Sequence, residues 1–423
     1  MIPSRLALPG GLALALAAAF PAFATDGYLE HGIGTQSKGM AGVSLAYPKD
    51  SLAIASNPAS ALAIGDRFDV DVDYFRPFRG ASITGNAFGP DQSYSGNDSE
   101  SFVIPETAYV RQLGKDWAAG LAIYAQGGMD TAYATNPYGR FGASGKAGID
   151  LQQLFLSPTI AYRFAEGQAI GLSANIVDER FKAQGIGVFG GFSAAPDAVS
   201  DRGRDSSWAY GVRLGWQGKL ASWLTAGAAW QSKSYADGFG KYKGLFADNG
   251  NFDVPSAYGA GLALAALPGL DLALDYKRID YSGVPSVGDD FQALLAGKAL
   301  GSQGGPGFGW RDTNTVKLGV NYALTAAWQI RAGYDYTSQP IPRNQTFLNI
   351  LAPGTVQHQL TSGITWTLSS GQDISLYALY ALPDRVNGAG SIPAGFPPAG
   401  FGGGEANIKL SEVAFGAGLG WRF

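Results

Sequence analysis

The sequence predicts an all-β membrane protein, a fourteen-stranded antiparallel outer-membrane β-barrel. Apolar and polar residues alternate with a period of two in fourteen segments of the 423-residue chain. Short turns and long loops alternate between these segments, as they do in bacterial barrels. Beyond residue 24, no stretch offers the ~18 to 20 continuous apolar residues that a spanning helix needs. Together these observations favour strands over helices as the membrane-crossing elements.

The first 24 residues have the pattern of a secretory signal peptide. Arg5 supplies a positive start, residues 6–20 are rich in Leu and Ala, and Ala22-Phe23-Ala24 is a small-x-small cleavage signal. We expect cleavage before Thr25 and export through the periplasm to the Gram-negative outer membrane.

The composition supports a sheet protein without disulfides. The chain has 61 Gly, 23 Phe, 20 Tyr and 9 Trp, with 15% charged residues and no Cys. Gly and aromatics at this density suit twisted strands better than packed helices. The net charge of −4 is too mild to indicate a nucleic-acid partner.

The chain supplies fourteen strands joined by two alternating kinds of connection. Short turns fall at 114–115, 166–167, 219–220, 268–269, 324–325 and 370–371, with long loops near 79–102, 130–148, 184–205, 235–252, 282–311, 339–354 and 383–410. The predicted strands are 66–78, 103–113, 116–129, 149–164, 169–183, 206–218, 222–234, 253–265, 270–281, 312–323, 327–338, 355–367, 372–382 and 411–423.

The last strand shows the two faces most clearly. From Val413 to Phe423, large apolar residues alternate with Ala, Gly and one Arg, so one face suits lipid and the other a lumen. This ending resembles the C-terminal strand of bacterial outer-membrane barrels, which implies that the barrel assembly machinery recognises Phe423. We expect a monomer.

Tryptophans indicate where the membrane surface lies. Six of them stand at strand ends beside the short turns, where an interfacial belt places amphipathic rings: Trp117, Trp216, Trp223, Trp328, Trp366 and Trp421. In a soluble sandwich, Trp would more often occupy the middle of a strand.

Charged residues inside the strands indicate a polar lumen. Arg331 and Asp335 share one face of strand 327–338, and unpaired charges in hydrocarbon are costly. Both side chains should therefore point inward, into a lumen that is either water-filled or plugged.

Several segments resemble the FadL family of long-chain fatty-acid and hydrophobic-compound transporters of the outer membrane. The resemblance covers essentially the whole mature chain. It rests on the Gly-punctuated segment before the first strand, ending in Asn57-Pro58-Ala59, and on Trp208 to Trp216, Thr225 to Lys233, Trp310 to Thr313, Trp328 to Tyr334 and Ser338 to Pro342.

The resemblance implies that residues 25–65 form a hatch inside a barrel of residues 66–423. It also implies passive uptake: extracellular loops capture the substrate, a pocket within the barrel receives it, and a hatch movement releases it through a gap where the third strand kinks. Gly127-Gly128 marks a plausible kink, although this pair could equally begin the next loop. Asn57-Pro58-Ala59 is the candidate gating segment, although Asn-Pro alone also suits an ordinary helix start.

Ligand contacts can be suggested for five residues. Phe189 and Phe192 offer aromatic surface in a long loop, as do the residues from Phe396 to Phe401, although loop aromatics could equally pack the extracellular cap. The basic residues Arg180, Lys182 and Arg311 resemble basic positions of the family and could bind a carboxylate. They could equally be salt-bridge partners in loops.

The sequence gives no sign of an enzyme. Its two histidines, His31 and His358, lie far apart and it has no Cys, so no catalytic residue, metal or cofactor is predicted. Two other functions remain open, a general aqueous porin and a structural or adhesive barrel. The sequence leaves the hydrophobic cargo undecided between a fatty acid and an aromatic or other apolar compound.

Overall fold

The computed structural model describes residues 26–396 and 400–423. Over this part of the chain, β-strands form one closed antiparallel sheet, because the last strand pairs with the first from Arg67↔Arg422 to Thr84↔Glu405. No helix in the described ranges is long and apolar enough to cross a membrane. The predicted signal peptide, residues 1–24, and Thr25 lie outside the described residues.

Fourteen strands form the wall of the barrel, which confirms the predicted fold class. Every predicted strand is present, and five of the six short turns fall where the sequence places them; the turn predicted at 219–220 lies at 222–223, because β7 continues to Ala221. In chain order the wall strands are β1 (Arg67–Thr84), β3 (Phe102–Gln112), β4 (Trp117–Tyr133), β5 (Ala147–Ala165), β6 (Gln168–Gln184), β7 (Asp205–Ala221), β8 (Leu224–Gln231), β10 (Ala257–Leu267), β11 (Leu270–Ile279), β12 (Thr313–Ala323), β13 (Trp328–Thr337), β14 (His358–Thr367), β15 (Gln372–Asn387) and β16 (Glu405–Arg422).

Two short strands were not predicted. β2 (Gln92–Ser95) pairs with the outer end of β1, and β9 (Tyr235–Ala236) pairs with the outer end of β7. Each lies within a segment predicted as a long loop, and each is too short for a period of two to be recognised. Both extend the sheet locally without adding a strand to the wall.

The two faces of the wall differ as the alternation predicts. On β1, Val72 and Tyr74 are exposed on the outside, whereas the intervening aspartates are buried inside. Arg331 and Asp335 are likewise buried, which confirms that they face inward. Since exposed apolar residues meet lipid and buried charges meet each other, this is the pattern of a membrane barrel.

Aromatic side chains form a girdle at the turn end of the barrel. Four of the six predicted tryptophans, Trp117, Trp223, Trp328 and Trp366, are exposed on the outer face. Trp328 and Trp366 stack on neighbouring strands with their ring planes within 1°. The other two, Trp216 and Trp421, are half-buried.

Before the first strand, residues 26–64 form a nearly fully buried segment that we call the N-terminal arm. It contains the short helices Thr35–Lys38 and Ala61–Ile64 and the 3-10 turns Ser51–Ala55 and Pro58–Ser60. The loops beyond the wall carry only short helical turns, at Gly139–Phe141, Gly187–Phe192, Pro196–Ala198, Gly240–Tyr242, Ala247–Gly250, Tyr281–Gly283, Pro285–Gly288, Phe291–Ala296, Arg343–Gln345 and Leu348–Ile350.

Candidate functional site

Aspartates of β1 bind the arm along one side of the ring. Asp69 accepts hydrogen bonds from the backbone amide and the hydroxyl of Ser51, at 2.8 and 2.6 Å. Two residues further along β1, Asp71 accepts the amide of Thr35 at 2.5 Å. Because inward-facing residues recur every second position, a single strand can hold two separate parts of the arm.

Lys38 of the arm is surrounded by carboxylates. Its ammonium lies 3.1 Å from Glu30 and 3.0 Å from Glu106 of β3, and it also pairs with Asp73 of β1. All four side chains are nearly excluded from solvent. Loss of the Lys38 ammonium would therefore leave three buried carboxylates without a counter-charge. Removing one partner of a buried ion pair is strongly destabilising for this reason.

Strands further around the ring also bind the arm. Asp275 of β11 accepts the amides of Ser44 and Leu45 at 2.8 and 3.0 Å. On β14, the Thr361 hydroxyl accepts the amide of Ala41 at 2.8 Å. The arm thus bridges strands that lie far apart around the barrel.

Asn57 ties the candidate gating segment to the wall. Its side-chain amide donates to the carbonyl oxygens of Leu45, at 2.8 Å, and of Trp216 on β7, at 2.9 Å. Its side-chain oxygen accepts the amide of Ala59 at 3.1 Å, so Asn57 also caps the turn that follows. The Asn57 side chain therefore does two things: it caps a helical turn, as the ordinary interpretation of Asn-Pro expects, and it contacts the wall.

Two wall glycines allow this segment to come close. A Cβ atom at Gly171 of β6 would lie 2.4 Å from the carbonyl carbon of Pro58. A Cβ atom at Gly215 of β7 would lie 2.0 Å from the side-chain oxygen of Asn57. Any larger residue at either position would push Asn57-Pro58 away from the wall.

The wall itself opens between β3 and β4. Their pairing runs from Gln112↔Ala118 to Thr107↔Ile123 and goes no further, although β3 continues to Phe102 and β4 to Tyr133. Just past the last pair, the register of β4 against β5 shifts by one residue, between Ala125 and Gly127. A one-residue bulge bends its strand, so the outer half of β4 separates from β3.

The beginning of the arm occupies this opening. Leu29 forms an antiparallel β-bridge with Gly127. The Glu30 amide donates to the Gln126 carbonyl at 2.8 Å, and the Gly128 amide donates to the Tyr28 carbonyl at 3.0 Å. Backbone groups of β4 that lack a partner on β3 are thus satisfied by the arm.

Three internal cavities lie beside the arm. The largest of these, 80 Å³, is lined by both apolar and polar residues, the latter including Arg213, Gln231 and Lys277. A 40 Å³ cavity next to Gly128 and Trp310 lies on the outer side of the bridge, and a 20 Å³ cavity lies next to Lys38. A cavity needs about 10–15 Å³ to hold one water, so the largest has room for a small polar group.

Most of the loop aromatics are buried rather than exposed. Phe189 is fully buried and packs against Tyr138 and Phe401, with ring centroids 5.0 and 5.7 Å apart. Phe192 is partly buried beside Phe401 at 4.9 Å. Of the two alternatives, Phe189 and Phe401 therefore follow the second and pack the cap, because loops from several strand pairs meet above the barrel and cover them. Phe396 is 66% exposed, as expected, and Pro397, Pro398 and Ala399 lie outside the described residues.

The three candidate basic residues lie outside the lumen. Arg180 and Lys182 share the outward register of β6 with lipid-facing leucine and isoleucine residues, and Arg180 pairs with Asp178 at 2.8 Å. Arg311 is exposed at the start of β12, beside an open cleft of 340 Å³ that Asp290 and Asp312 also line. The structure brings none of the three to the cavities beside the arm.

Two features of this region went unnoticed in the sequence. The run Asp69-Val-Asp-Val-Asp73 places three carboxylates on one face of a predicted wall strand, a signal that could have indicated a bound partner in the lumen. Arg213 also lies in a clear alternation of inward and outward residues on β7. Only the folded structure, however, shows that no described carboxylate contacts it.

Comparison with known proteins agrees with this architecture. Residues 14–382 match the family model described as outer membrane protein transport protein (OMPP1/FadL/TodX). A long-chain fatty acid transport protein of Escherichia coli O6:H1 is 25% identical over 374 residues, which cover 79% of this chain and 81% of that protein.

Solved structures share the fold at low sequence identity. The toluene transporter TodX of P. putida superposes with a TM-score of 0.67 at 19% identity, covering 93% of this chain and 99% of TodX. A FadL homologue of Pseudomonas aeruginosa gives a TM-score of 0.69 at 16% identity, covering 94% of this chain and all of that one.

Proposed function

Because the chain belongs to the OMPP1/FadL/TodX family of outer membrane transport proteins, we propose that it carries hydrophobic small molecules, long-chain fatty acids first among them, across the outer membrane. Transport is passive and needs no catalytic residue, metal or cofactor. In this proposal residues 1–24 are a signal peptide, residues 25–65 a hatch, and residues 66–423 the barrel.

One observation carries the proposal. The arm crosses the ring, and it pairs with the wall at the gap between β3 and β4, the only gap of this kind among the described strand pairs. Contacts with β1, β3, β7, β11 and β14 support a hatch that fills the lumen. A lumen filled in this way is a poor route for water and ions. A gap in the wall, by contrast, leads an apolar molecule straight into the membrane.

Hydrophobic cargo gives this arrangement a physical purpose. Each buried CH₂ group is worth about 0.8 kcal/mol, so a long acyl chain strongly prefers an apolar path to an aqueous pore. In the proposed route, exposed loop aromatics such as Phe396 capture the cargo. The cap around Phe189 and Phe192 then passes it inward, and a movement of the hatch frees the gap at Gly127-Gly128 for lateral exit.

Fatty acids are the favoured cargo on sequence grounds. The matched relative of E. coli is a long-chain fatty acid transport protein that aligns over most of both chains. Toluene transporters share the fold, so a monoaromatic cargo is the second candidate. Phe423 at the end of β16 is proposed to be read by the barrel assembly machinery, and the barrel is proposed to act as a monomer.

Uptake and conductance measurements test the proposal together. A Gram-negative strain without its own transporters of this kind should take up labelled oleate when it expresses the full chain, faster than labelled toluene. In planar bilayers, the purified protein should pass little ion current. A large steady current without oleate or toluene uptake would indicate an aqueous porin, and loss of cell attachment alone on deleting the loops would indicate an adhesive barrel.

A further inference from the structure

Arg213 is a buried cation that has no anion. It points inward from β7 and is 4% exposed. Its guanidinium donates to the Tyr124 hydroxyl and to the Gln126 side-chain oxygen, both at 3.0 Å, and to the Gln231 side-chain oxygen. Among the described residues no carboxylate lies within 4 Å of it, whereas buried charges in proteins are ordinarily paired.

Space for an anion lies directly beside this cation. Arg213 lines the 80 Å³ cavity, and the neighbouring wall positions Ala229, Ala257 and Gly259 carry side chains too small to fill it. Lys277 lines the same cavity from β11, and its ammonium has only a long contact with Asp26, at 3.4 Å. The cavity is therefore lined by Arg213 from β7 and by Lys277 from β11, in addition to Lys317, which pairs with Asp26 at 3.0 Å.

An unused hydrogen-bond donor also lines the cavity. Within the part of the chain that the structure describes, the side-chain amide nitrogen of Gln231 is buried and has no hydrogen-bond partner. A buried donor without an acceptor costs about 1–3 kcal/mol, so an incoming acceptor would relieve it. The Gln231 amide N–H favours the same kind of ligand as the Arg213 charge does.

The two acids that line the cavity are already engaged. Glu30 lies 3.1 Å from Lys38, and Asp275 holds the amides of Ser44 and Leu45. Neither is within 4 Å of Arg213. Among the described residues, the acids of the cavity therefore leave Arg213 with neutral partners alone.

Gln126 connects this end to the gap. It is the extra residue of the β4 bulge, because Ala125 and Gly127 pair with consecutive residues of β5. Its side chain accepts from Arg213, while its carbonyl accepts the Glu30 amide of the arm. A ligand that replaces Gln126 as the hydrogen-bond partner of the Arg213 guanidinium therefore acts on the residue that joins the arm to the bulge.

We propose that Arg213 binds the carboxylate of an amphiphilic cargo, in competition with Gln126, and so makes this barrel selective for carboxylates over neutral hydrocarbons. The inference rests on the proposed transport function and names its substrate class. The acyl tail extends toward the buried aromatic cluster on the outer side of the arm, where Tyr28, Phe252 and Trp310 pack together. Occupation of Arg213 frees Gln126 and loosens the bulge beside Leu29.

Binding to the full-length mature protein in lipid nanodiscs tests the proposal, with oleate and oleyl alcohol as probes of equal chain length. The protein should bind oleate about tenfold or more tightly than the alcohol, since a charged hydrogen bond is worth that much. Arg213→Gln should remove the preference and leave alcohol binding within about twofold. Arg213→Lys should keep part of it, and Gln126→Leu should tighten oleate binding, because the competitor is gone.

Arg331→Gln is the matched control. Arg331 is also buried and inward-facing, bonds to the neutral side chains of Gln36 and Thr365, and does not line this cavity. Its variant should keep the preference for oleate. Heat-modifiable migration on gels verifies that each variant has assembled.

The possible failures are distinguishable. Equal binding of oleate and oleyl alcohol by the wild type, or an unchanged preference in an assembled Arg213→Gln variant, overturns the carboxylate site and leaves hydrophobic transport standing. Weaker oleate binding by Gln126→Leu overturns the competition. If the wild type binds neither probe and does not bind toluene, the proposed function itself fails.

Discussion

Leu29 of the arm and Gly127 of β4 are partners in an antiparallel β-bridge, at the position where β4 has lost its neighbour β3. A residue from outside the wall thus takes the place of a wall strand. The bridge links the arm to the gap, so a movement of one cannot leave the other unchanged.

Removing the Asn57 side chain should loosen the arm. Asn57→Ala leaves the carbonyls of Leu45 and Trp216 without their donor, at a cost of about 1–3 kcal/mol. Labelled oleate uptake should change at least about twofold while the barrel still assembles. Asn136→Ala is the matched control, because Asn136 also donates to two carbonyls and caps a turn, but in an extracellular loop. Equal effects of the two variants would argue against a gating role for Asn57.

A methyl group at Gly171 should displace the same segment from the other side. Gly171→Ala places a Cβ atom 2.4 Å from Pro58, and overpacking of this kind costs about 1–3 kcal/mol. Limited proteolysis of the purified protein should cut the arm faster than in the wild type. Gly187→Ala, in a loop where no atom lies within 4 Å, should leave the cleavage rate as it was. Protection of the arm in Gly171→Ala would contradict this account.

Lys38→Met should detach the arm from the β1 side. The change leaves Glu30, Asp73 and Glu106 buried without their cation, and breaking a buried pair in this way costs about 3–5 kcal/mol. Protease protection of the arm should be lost in assembled barrels. Lys49→Met is the control within the arm, since no carboxylate of residues 26–396 or 400–423 lies within 4 Å of Lys49, which contacts the Tyr47 hydroxyl at 3.3 Å. An arm that stays protected in Lys38→Met would show that this cluster does not hold it.

Docking of the arm should weaken as pH rises. Burial, followed by the nearby charge of Asp69, raises the pKa of Asp50 from 3.8 to about 7. A carboxyl whose pKa is raised in the docked state favours docking fully below pH 3.8, and this contribution is lost as pH rises through 7. Proteolysis of the arm should therefore be faster at pH 8 than at pH 5.

Asp50→Asn should flatten that dependence, because its amide stays neutral at both pH values. Asp26 stays ionised throughout this range and adds no slope: burial would raise its pKa, but Lys317 and Lys277 lower it to about 2. A slope in the variant as steep as in the wild type would assign the effect to another group.

The wall was predictable from sequence because its signal is local. Each strand carries its own alternation, and turns such as Pro268-Gly269 interrupt it visibly. The existence of each strand and the inward-facing residues such as Arg331 and Asp335 therefore agree with the prediction, whereas the outer ends of several strands run further than predicted, as β1 does to Thr84 instead of residue 78. The kink at Gly127-Gly128 was harder to predict from the sequence, because a pair of glycines is equally suited to a bulge and to the start of a loop.

The contacts of the arm were beyond sequence reasoning. Asn57 reaches Trp216, a partner 159 residues away, and nothing local to either residue encodes that distance. Arg180 and Lys182 were considered for ligand binding because of their charge, yet one register position decides whether a strand residue faces lipid or lumen. Arg213, which does face the lumen, carries no local mark that separates it from other strand arginines.

The most direct test of the central claim is labelled-oleate uptake by cells that express the chain without Gln126. Deleting the extra residue restores a continuous register between β4 and β5, so β4 can pair with β3 along the gap. Gln126→Ala keeps the extra residue but removes the same side chain, so it separates the effect of the bulge from that of the contact between Gln126 and Arg213. If the hatch releases cargo through this gap, uptake should fall to the level of cells without the protein, although the barrel is assembled. Uptake at the wild-type rate through an assembled barrel that lacks the bulge would contradict the account.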